Sequence, residues 1–193
     1  LIYLAIICQP VIMHDSFGYI ICGTTLLEKG LSGYIKMGPT REPVYPYLIS
    51  ISMSLGNLFS ISYIYILKFF GILILFINQL LAFQILKKLK INNIIISATI
   101  LYLGFSPALV NSAFRVFSEI ATYPFVLGII LVSLNSWRSL LSQEENYPEI
   151  ITNGLFLGVL FVFITLIKAV FQVSTFFTVI PFCIFAVIFY IQK

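Results

Sequence analysis

Long apolar segments alternate with short polar ones along most of the chain. The clearest of them runs from Ile61 to Leu86 and ends at the cations of Lys87-Lys88-Leu89-Lys90. Because a hydrocarbon core about 30 Å thick needs roughly 20 helical residues, this segment predicts a membrane-spanning helix. Comparable segments cover residues 91–110, 120–140, 150–170 and 173–191, and Ser106-Pro107 breaks the first of these near its end. None shows the alternation of a strand, so the predicted fold class is all-α, a polytopic transmembrane helix bundle.

The N-terminal part of the chain follows a different pattern. Residues 1–13 are apolar but would rise only roughly 20 Å as a helix, which predicts a first transmembrane helix that is cut at its start. Residues 14–60 carry charges, prolines and serines and are predicted to form a long outer loop with interfacial helices. Residues 61–193 then hold five further transmembrane helices. We therefore expect the N-terminal part of one transmembrane domain.

Within the predicted outer loop, helical spacing groups three residues on one face. A helix that starts near Ser16 would align Asp15, Tyr19 and Cys22, which are four and three residues apart. The glycines of residues 28–33 predict a helix end followed by a turn. Residues 47–58 are apolar but interrupted by serines, which is typical of an interfacial helix.

Composition agrees with a membrane location. Hydrophobic residues form 60% of the chain, charged residues 9%, and the mean hydropathy is +1.06. The net charge of +4 comes from scattered cations without a basic stripe, so we predict no nucleic-acid partner. Three widely spaced cysteines form neither a disulfide framework nor a metal motif. His14 is the only histidine, so we predict no metal site of the histidine or cysteine type.

The distribution of cations predicts the orientation in the membrane. Lys87, Lys88 and Lys90 form the densest cationic group in a short loop, which places that loop in the cytoplasm. Counting predicted crossings from there brings most of the isolated charges to the outer face. They are Asp15, Arg41, Glu42, Arg115, Glu119 and Lys168.

Several short motifs at this face resemble one family. They are Asp15-x-x-x-Tyr19, Leu26-Leu27-x-x-Gly30, Arg41-Glu42-Pro43-x-Tyr45-Pro46, Phe117-Ser118-Glu119, and Gly154-x-x-x-Gly158 leading to Thr165-Leu166-Ile167-Lys168. Together they resemble the polyprenyl-phosphate-sugar-dependent membrane glycosyltransferases of the GT-C fold. Within that group they are similar to protein O-mannosyltransferases and aminoarabinose transferases, the glycosyltransferase family 39-like enzymes.

The resemblance implies a reaction and a place. A sugar would move with inversion from a polyprenyl-phosphate-linked donor to a lipid, glycan or protein acceptor outside the cytoplasm, in a multi-pass protein of the bacterial inner or plasma membrane. Asp15 would be the general base, and no cofactor is predicted. The implied substrate-binding residues are Tyr19, Arg41, Glu42, Tyr45, Arg115, Glu119 and Lys168, and three cations among them, Arg41, Arg115 and Lys168, are candidate phosphate contacts.

The chemistry of transfer fits this set of residue types. The acceptor hydroxyl needs one carboxylate to take its proton. The phosphate leaving group needs only cations where its charge develops. Glycoside hydrolysis would instead require two carboxylates flanking the bond.

Each candidate also has a structural interpretation. Asp15 would cap a helix, Tyr19 would belong to the aromatic belt of the membrane interface, and Lys168 would extend toward the interface. Arg41 with Glu42, and Arg115 with Glu119 four residues later, would form local ion pairs. Lys68, Asn78 and Gln79 are predicted to make contacts between helices.

Two functional alternatives and one chemical alternative stay open. The chain could belong to a membrane transporter or to a non-catalytic membrane subunit. Transporters are often built from two halves of related sequence and bind their substrates near the middle of the membrane. This sequence shows no such repeat and carries its charges at helix ends, which favours the enzyme over the transporter. The chemical alternative is that the protein uses a divalent ion, held between Asp15 and Glu119.

Overall fold

The computed structural model describes residues 12, 14–38, 41–116, 118–141, 147–168 and 171. This part of the chain is all-helical, as predicted. The predicted helices at 1–13 and 173–191 fall almost entirely outside it. The seven helices are α1 (His14–Lys36), α2 (Val44–Phe59), α3 (Tyr63–Lys88), α4 (Asn93–Phe105), α5 (Pro107–Phe114), α6 (Glu119–Leu141) and α7 (Tyr147–Ile167).

Two of these helices are long and apolar enough to cross a membrane. They are α3, with a mean hydropathy of 2.2, and residues Glu119–Trp137 of α6, with 1.5. A third span is present if α4 and α5, which are bent by 44° relative to each other, cross as one unit. The apolar part of α7 is shorter. Length and composition thus support a membrane protein with two or three spans in the described residues.

The predicted span at 91–110 is broken into two helices at Ser106-Pro107. Ser106 has φ −58° and ψ 117°, an extended conformation. The ring of Pro107 disfavours the helical conformation for the residue before it, and Pro107 itself begins α5, where its missing N–H has no helical partner to lose. The proline therefore ends one helix and starts the next.

Two of the three residues predicted to share one face of a helix, Tyr19 and Cys22, have described side chains in α1. Tyr19, Cys22 and Leu26 are buried at helical spacing, which confirms the common face of Tyr19 and Cys22. The helix is kinked at Gly30, whose φ of 64° is readily available only to glycine. The predicted helix end at Gly30 thus corresponds to a kink. The turn predicted at residues 31–33 was wrong, because the chain returns to helix up to Lys36.

Helix α2 begins at Val44, slightly before the predicted start, and packs against α1, α3 and α7. Its residues Tyr45 and Ile49 are buried in a core cluster that also contains Tyr19, Leu67 and Ile167. Apolar side chains from α1, α2, α3 and α7 therefore meet in one place. This core brings together segments that are far apart in the sequence.

Helices α3 and α5 approach each other at a glycine. A Cβ atom added to Gly71 would lie 2.0 Å from the backbone oxygen of Ala113. Backbone atoms cannot move away as a flexible side chain can. Only glycine at position 71 allows this spacing between the two helices.

We predict that Gly71→Ala destabilises the protein by about 1–3 kcal/mol, the usual effect of forcing a methyl group into a packed site. Thermal unfolding of the purified protein measures the effect. Gly154→Ala is the matched control, because a Cβ at Gly154 has open space around it, with nothing within 4 Å. Equal melting temperatures for the two variants would contradict the close approach of α3 and α5.

Candidate functional site

Five polar residues from four segments of the chain lie around one end of the apolar core. We call this group the polar cluster. Tyr19 belongs to α1 and Arg41 precedes α2, while Ser118 and Glu119 lie at the start of α6 and Lys168 follows the end of α7. The packing of Tyr19, Ala121 and Ile167 in the same core cluster explains why these segments meet.

Tyr19 is the residue through which α1 joins the cluster. Its hydroxyl lies 2.9 Å from the hydroxyl of Ser118, and the two exchange a hydrogen bond across 99 residues of sequence. Its ring packs edge-on against Tyr45, with centroids 5.2 Å apart. The guanidinium of Arg41 lies 5.3 Å from the centre of the Tyr19 ring, within range of a cation–π interaction. With a side chain only 6% exposed, Tyr19 does not have the lipid-facing environment of a belt tyrosine.

The environment of Tyr19 also controls its protonation. Burial raises the pKa of its hydroxyl above the ordinary value of 10.0. The carboxylates of Glu42 and Glu119 raise this pKa further, while the Ser118 hydrogen bond and the charge of Arg41 lower it. The phenol is therefore protonated at neutral pH and available as a hydrogen-bond donor.

Glu119 and Lys168 form an ion pair between the start of α6 and the end of α7. The Lys168 ammonium donates to Oε1 of Glu119 at 2.7 Å. The Lys168 side chain is 34% exposed and the Glu119 side chain is 42% exposed. The other oxygen of Glu119, Oε2, is buried and has no hydrogen-bond partner among the described residues. The pair thus presents one ammonium and one unpaired carboxylate oxygen at the same place.

Arg115 does not join this pair. Helix α5 ends at Phe114, and Arg115 is extended with φ −92° and ψ 151°. Its Nε donates to Oδ1 of Asn111 at 3.1 Å. The predicted ion pair between Arg115 and Glu119 was wrong, because the two residues lie on either side of a helix break and not on one helical face. Arg115 instead borders a small cavity that Lys68 also lines.

Of the remaining predicted site residues, Tyr45, Glu42 and Arg41 lie near Tyr19. Tyr45 is buried against its ring. Glu42 is half-buried and close enough for its charge to act on the Tyr19 hydroxyl. The backbone oxygen of Arg41 accepts a hydrogen bond from Tyr34. The backbone of Asp15 lies in the first turn of α1, one turn before Tyr19, while its side chain falls outside the described part of the structure.

Of the three residues predicted to connect helices, two do so through polar groups. Gln79 donates to the backbone oxygen of Ile100 at 3.1 Å, which joins α3 to α4. The ammonium of Lys68 lies 5.4 Å from the centre of the Phe114 ring of α5. Asn78 is buried, but its amide has no hydrogen-bond partner among the described residues.

One member of the cluster, Ser118, was not predicted as a site residue. It is completely buried and forms the hydrogen bond to Tyr19. The sequence signal was its position in the motif Phe117-Ser118-Glu119. No sequence pattern identifies the hydrogen-bond partner of a serine. Three-dimensional contact across the fold was needed to find it.

Comparison with known proteins identifies no relative: no family model, curated protein or solved structure matches this chain. Within the described residues, no three His, Cys, Asp or Glu side chains lie close enough together to hold a metal ion. A functional interpretation therefore depends on the chemistry of the polar cluster.

We predict that Tyr19→Phe destabilises the protein by about 1–3 kcal/mol at neutral pH, since it leaves the buried Ser118 hydroxyl without a partner. Tyr102→Phe, at a position 69% exposed on α4, is the control and should have little effect. Thermal unfolding of the two variants measures the difference.

The raised pKa adds a pH dependence to this prediction. A phenol whose pKa is higher in the folded state stabilises the fold fully below the unfolded pKa and loses that contribution as the pH rises through the folded pKa. The stability advantage of wild type over Tyr19→Phe should therefore shrink above pH 10.0, the ordinary value of the tyrosine pKa. An advantage that stays constant as the pH rises would contradict the raised pKa.

Proposed function

We propose that this protein is a GT-C-type membrane glycosyltransferase that moves a sugar from a polyprenyl-phosphate-linked donor to an acceptor outside the cytoplasm. The observation that supports it is the meeting of Arg41, Glu119 and Lys168 with Tyr19 and Ser118 at one end of the helices. Charges near hydrocarbon are costly unless they are paired or serve a function. A phosphate-linked lipid donor would need cations at the edge of such a helix bundle.

Lys168 is the residue we assign to the donor phosphate. An ammonium has three hydrogen-bond donors, and the bond to Glu119 occupies one of them. Two donors therefore stay available for phosphate oxygens while the ion pair is intact. Arg41 adds a guanidinium, whose planar shape matches a phosphate in two parallel hydrogen bonds. Both charges would stabilise the phosphate as it leaves the sugar.

The carboxylates have different roles in this proposal. Asp15 is the general base that takes the proton of the acceptor hydroxyl, as the resemblance implies. Glu119 binds a sugar hydroxyl through its unpaired Oε2 and positions Lys168 through Oε1. The inversion of the sugar follows from a single displacement by the acceptor.

The finer description of the protein belongs to the same proposal. The helices form the N-terminal part of a polytopic bundle in a bacterial inner membrane. The polar cluster faces the outside, and the donor lipid reaches it from the bilayer.

A secondary transporter is the second candidate. The observation that favours it is the break between α4 and α5, because transporters often place their binding sites at discontinuous helices. The charged residues of the polar cluster, however, lie at helix ends and not at this break. The cluster is better suited to a reaction at the membrane surface than to passage through the bundle.

The role of Lys168 predicts different effects for two substitutions. Lys168→Met keeps the length of the side chain and removes a charged hydrogen bond worth about 1.5–3 kcal/mol, so polyprenyl phosphate should bind roughly 10- to 150-fold more weakly. Glu119→Gln removes a negative charge beside the phosphate, so binding should stay equal or become tighter. Titration of the purified full-length variants with polyprenyl phosphate in detergent measures both affinities.

The structural alternative gives a different pattern. If the pair serves only to hold α6 and α7 together, both substitutions and their combination should lower the stability equally, by roughly 0.2–1 kcal/mol, with polyprenyl phosphate affinity unchanged. That result would return Lys168 to a purely structural role.

The role of Asp15 predicts a large loss of turnover. Asp15→Asn preserves the shape and a capping oxygen but cannot take a proton, so sugar transfer by the full-length protein should fall roughly 10²–10⁴-fold. Polyprenyl-phosphate-linked hexoses and pentoses are tested first with wild type, and the best donor is used for the variant. Thermal stability is measured on the same samples.

Two results would contradict the assignment. A stable Asp15→Asn protein with normal transfer excludes Asp15 as the base. A wild-type protein that transfers no sugar from any of these donors contradicts the enzyme proposal as a whole.

A further inference from the structure

One exposed face of α3 leads to the lysines at the C-terminal end of this helix. Phe76, Leu80 and Phe83 are 49%, 45% and 41% exposed, and we call them the exposed stripe of α3. Together with Lys87 they are separated by four, three and four residues, the spacing that keeps side chains on one face of a helix. Because α3 is long and apolar enough to cross a membrane, the exposed stripe is where the described part of the chain presents α3 to hydrocarbon.

The ammonium of Lys87 lies at the end of this stripe. It is 5.6 Å from the centre of the Phe83 ring, within range of a cation–π interaction. The side chain of Lys87 therefore points back along the helix, toward the apolar residues. A lysine at the end of a membrane-spanning helix places its charge at the boundary between hydrocarbon and water. The headgroups of the phospholipids lie at the same boundary.

The two lysines that follow Lys87 have different surroundings. Lys88 turns toward α6, where its ammonium donates to Oδ1 of Asn135. Lys90 lies in the turn after the helix, with a left-handed φ of 57°, and its backbone N–H donates to the backbone oxygen of Lys87 at 3.1 Å. This turn keeps the backbone of Lys90 next to that of Lys87, and both side chains are exposed. The end of α3 thus presents two accessible lysines beside the exposed stripe.

The combination of charge and apolar surface defines the ligand that fits this place. Lysines next to a membrane-spanning helix attract the negative headgroups of phospholipids. A soluble anion would contact the two ammonium groups alone and would leave the exposed stripe without a partner. A zwitterionic phospholipid carries a phosphate too, but it also carries a cation that the two lysines repel. An anionic phospholipid matches both the lysines and the apolar side chains.

We propose that the end of α3 binds an anionic phospholipid of the bilayer. The headgroup phosphate is held by Lys87 and Lys90, and one acyl chain follows the exposed stripe from Phe83 toward Phe76. Lys88 is not needed for this contact, because it joins α3 to α6 through Asn135. The proposal stands independently of the glycosyltransferase proposal, since it uses no residue of the polar cluster.

The test compares phosphatidylglycerol with phosphatidylcholine, two phospholipids whose headgroups differ in net charge. Each lipid, with the same acyl chains, is titrated into the purified full-length protein in detergent, and native mass spectrometry counts the bound molecules. We expect wild type to bind phosphatidylglycerol more tightly. Lys87→Gln and Lys90→Asn should each weaken its binding roughly 5-fold, the effect of one lysine near a membrane surface, and should leave phosphatidylcholine unchanged. Asparagine is chosen at position 90 because it tolerates the left-handed conformation.

Lys29→Gln and Lys36→Gln are the matched controls, because they remove equally exposed lysines from α1 and should bind phosphatidylglycerol as wild type does. The position of the acyl chain is tested with a phosphatidylglycerol that carries a diazirine in one chain. After illumination, the label should be found on the exposed stripe of α3. Equal affinity of wild type for the two lipids, the same affinity for phosphatidylglycerol in wild type and both α3 variants, or labelling that omits the stripe would overturn the proposal.

Discussion

The hydrogen bond between Tyr19 and Ser118 connects α1 to the start of α6, one of the helices that are long and apolar enough to cross a membrane. The ring of Tyr45 and the guanidinium of Arg41 both pack against the ring of Tyr19. Ser118 is followed directly by Glu119, whose partner is Lys168. All members of the polar cluster are therefore positioned relative to this one contact. Its burial excludes water as a substitute partner, so neither hydroxyl can be lost without leaving the other unpaired.

The polar cluster concentrates charge where the core of apolar residues ends. Ile167 is fully buried, and the next residue, Lys168, reaches Glu119 at a partly exposed position. A shift of one residue in α7 would move the ammonium away from its partner and expose an apolar side chain. The register of α7 against α6 is thus fixed both by packing and by charge. Such a fixed arrangement is suited to a site that must present its charges to a ligand in one geometry.

The sequence predicted the parts of the fold that depend on local pattern. The apolar segment of α3 and the common face of Tyr19 and Cys22 follow from composition and helical spacing alone. The proline predicted the break at Ser106-Pro107, but no local pattern predicts the angle of 44° between α4 and α5. The predicted pair of Arg115 and Glu119 failed because spacing has meaning only within a continuous helix, and α5 ends between them. The pair of Glu119 and Lys168 and the role of Ser118 involve residues far apart in the sequence, and no local pattern encodes such contacts.

The bend between α4 and α5 is attached to α3 on both of its sides. On one side Gln79 holds the backbone of Ile100, at a place where Gly104 leaves room for the glutamine amide. On the other side the backbone of Ala113 rests against Gly71. Helix α3 therefore contacts the broken helix both before and after the bend, at Ile100 of α4 and at Ala113 of α5. A change in the angle between α4 and α5 would therefore require the loss of the Gln79 hydrogen bond or the separation of Ala113 from Gly71.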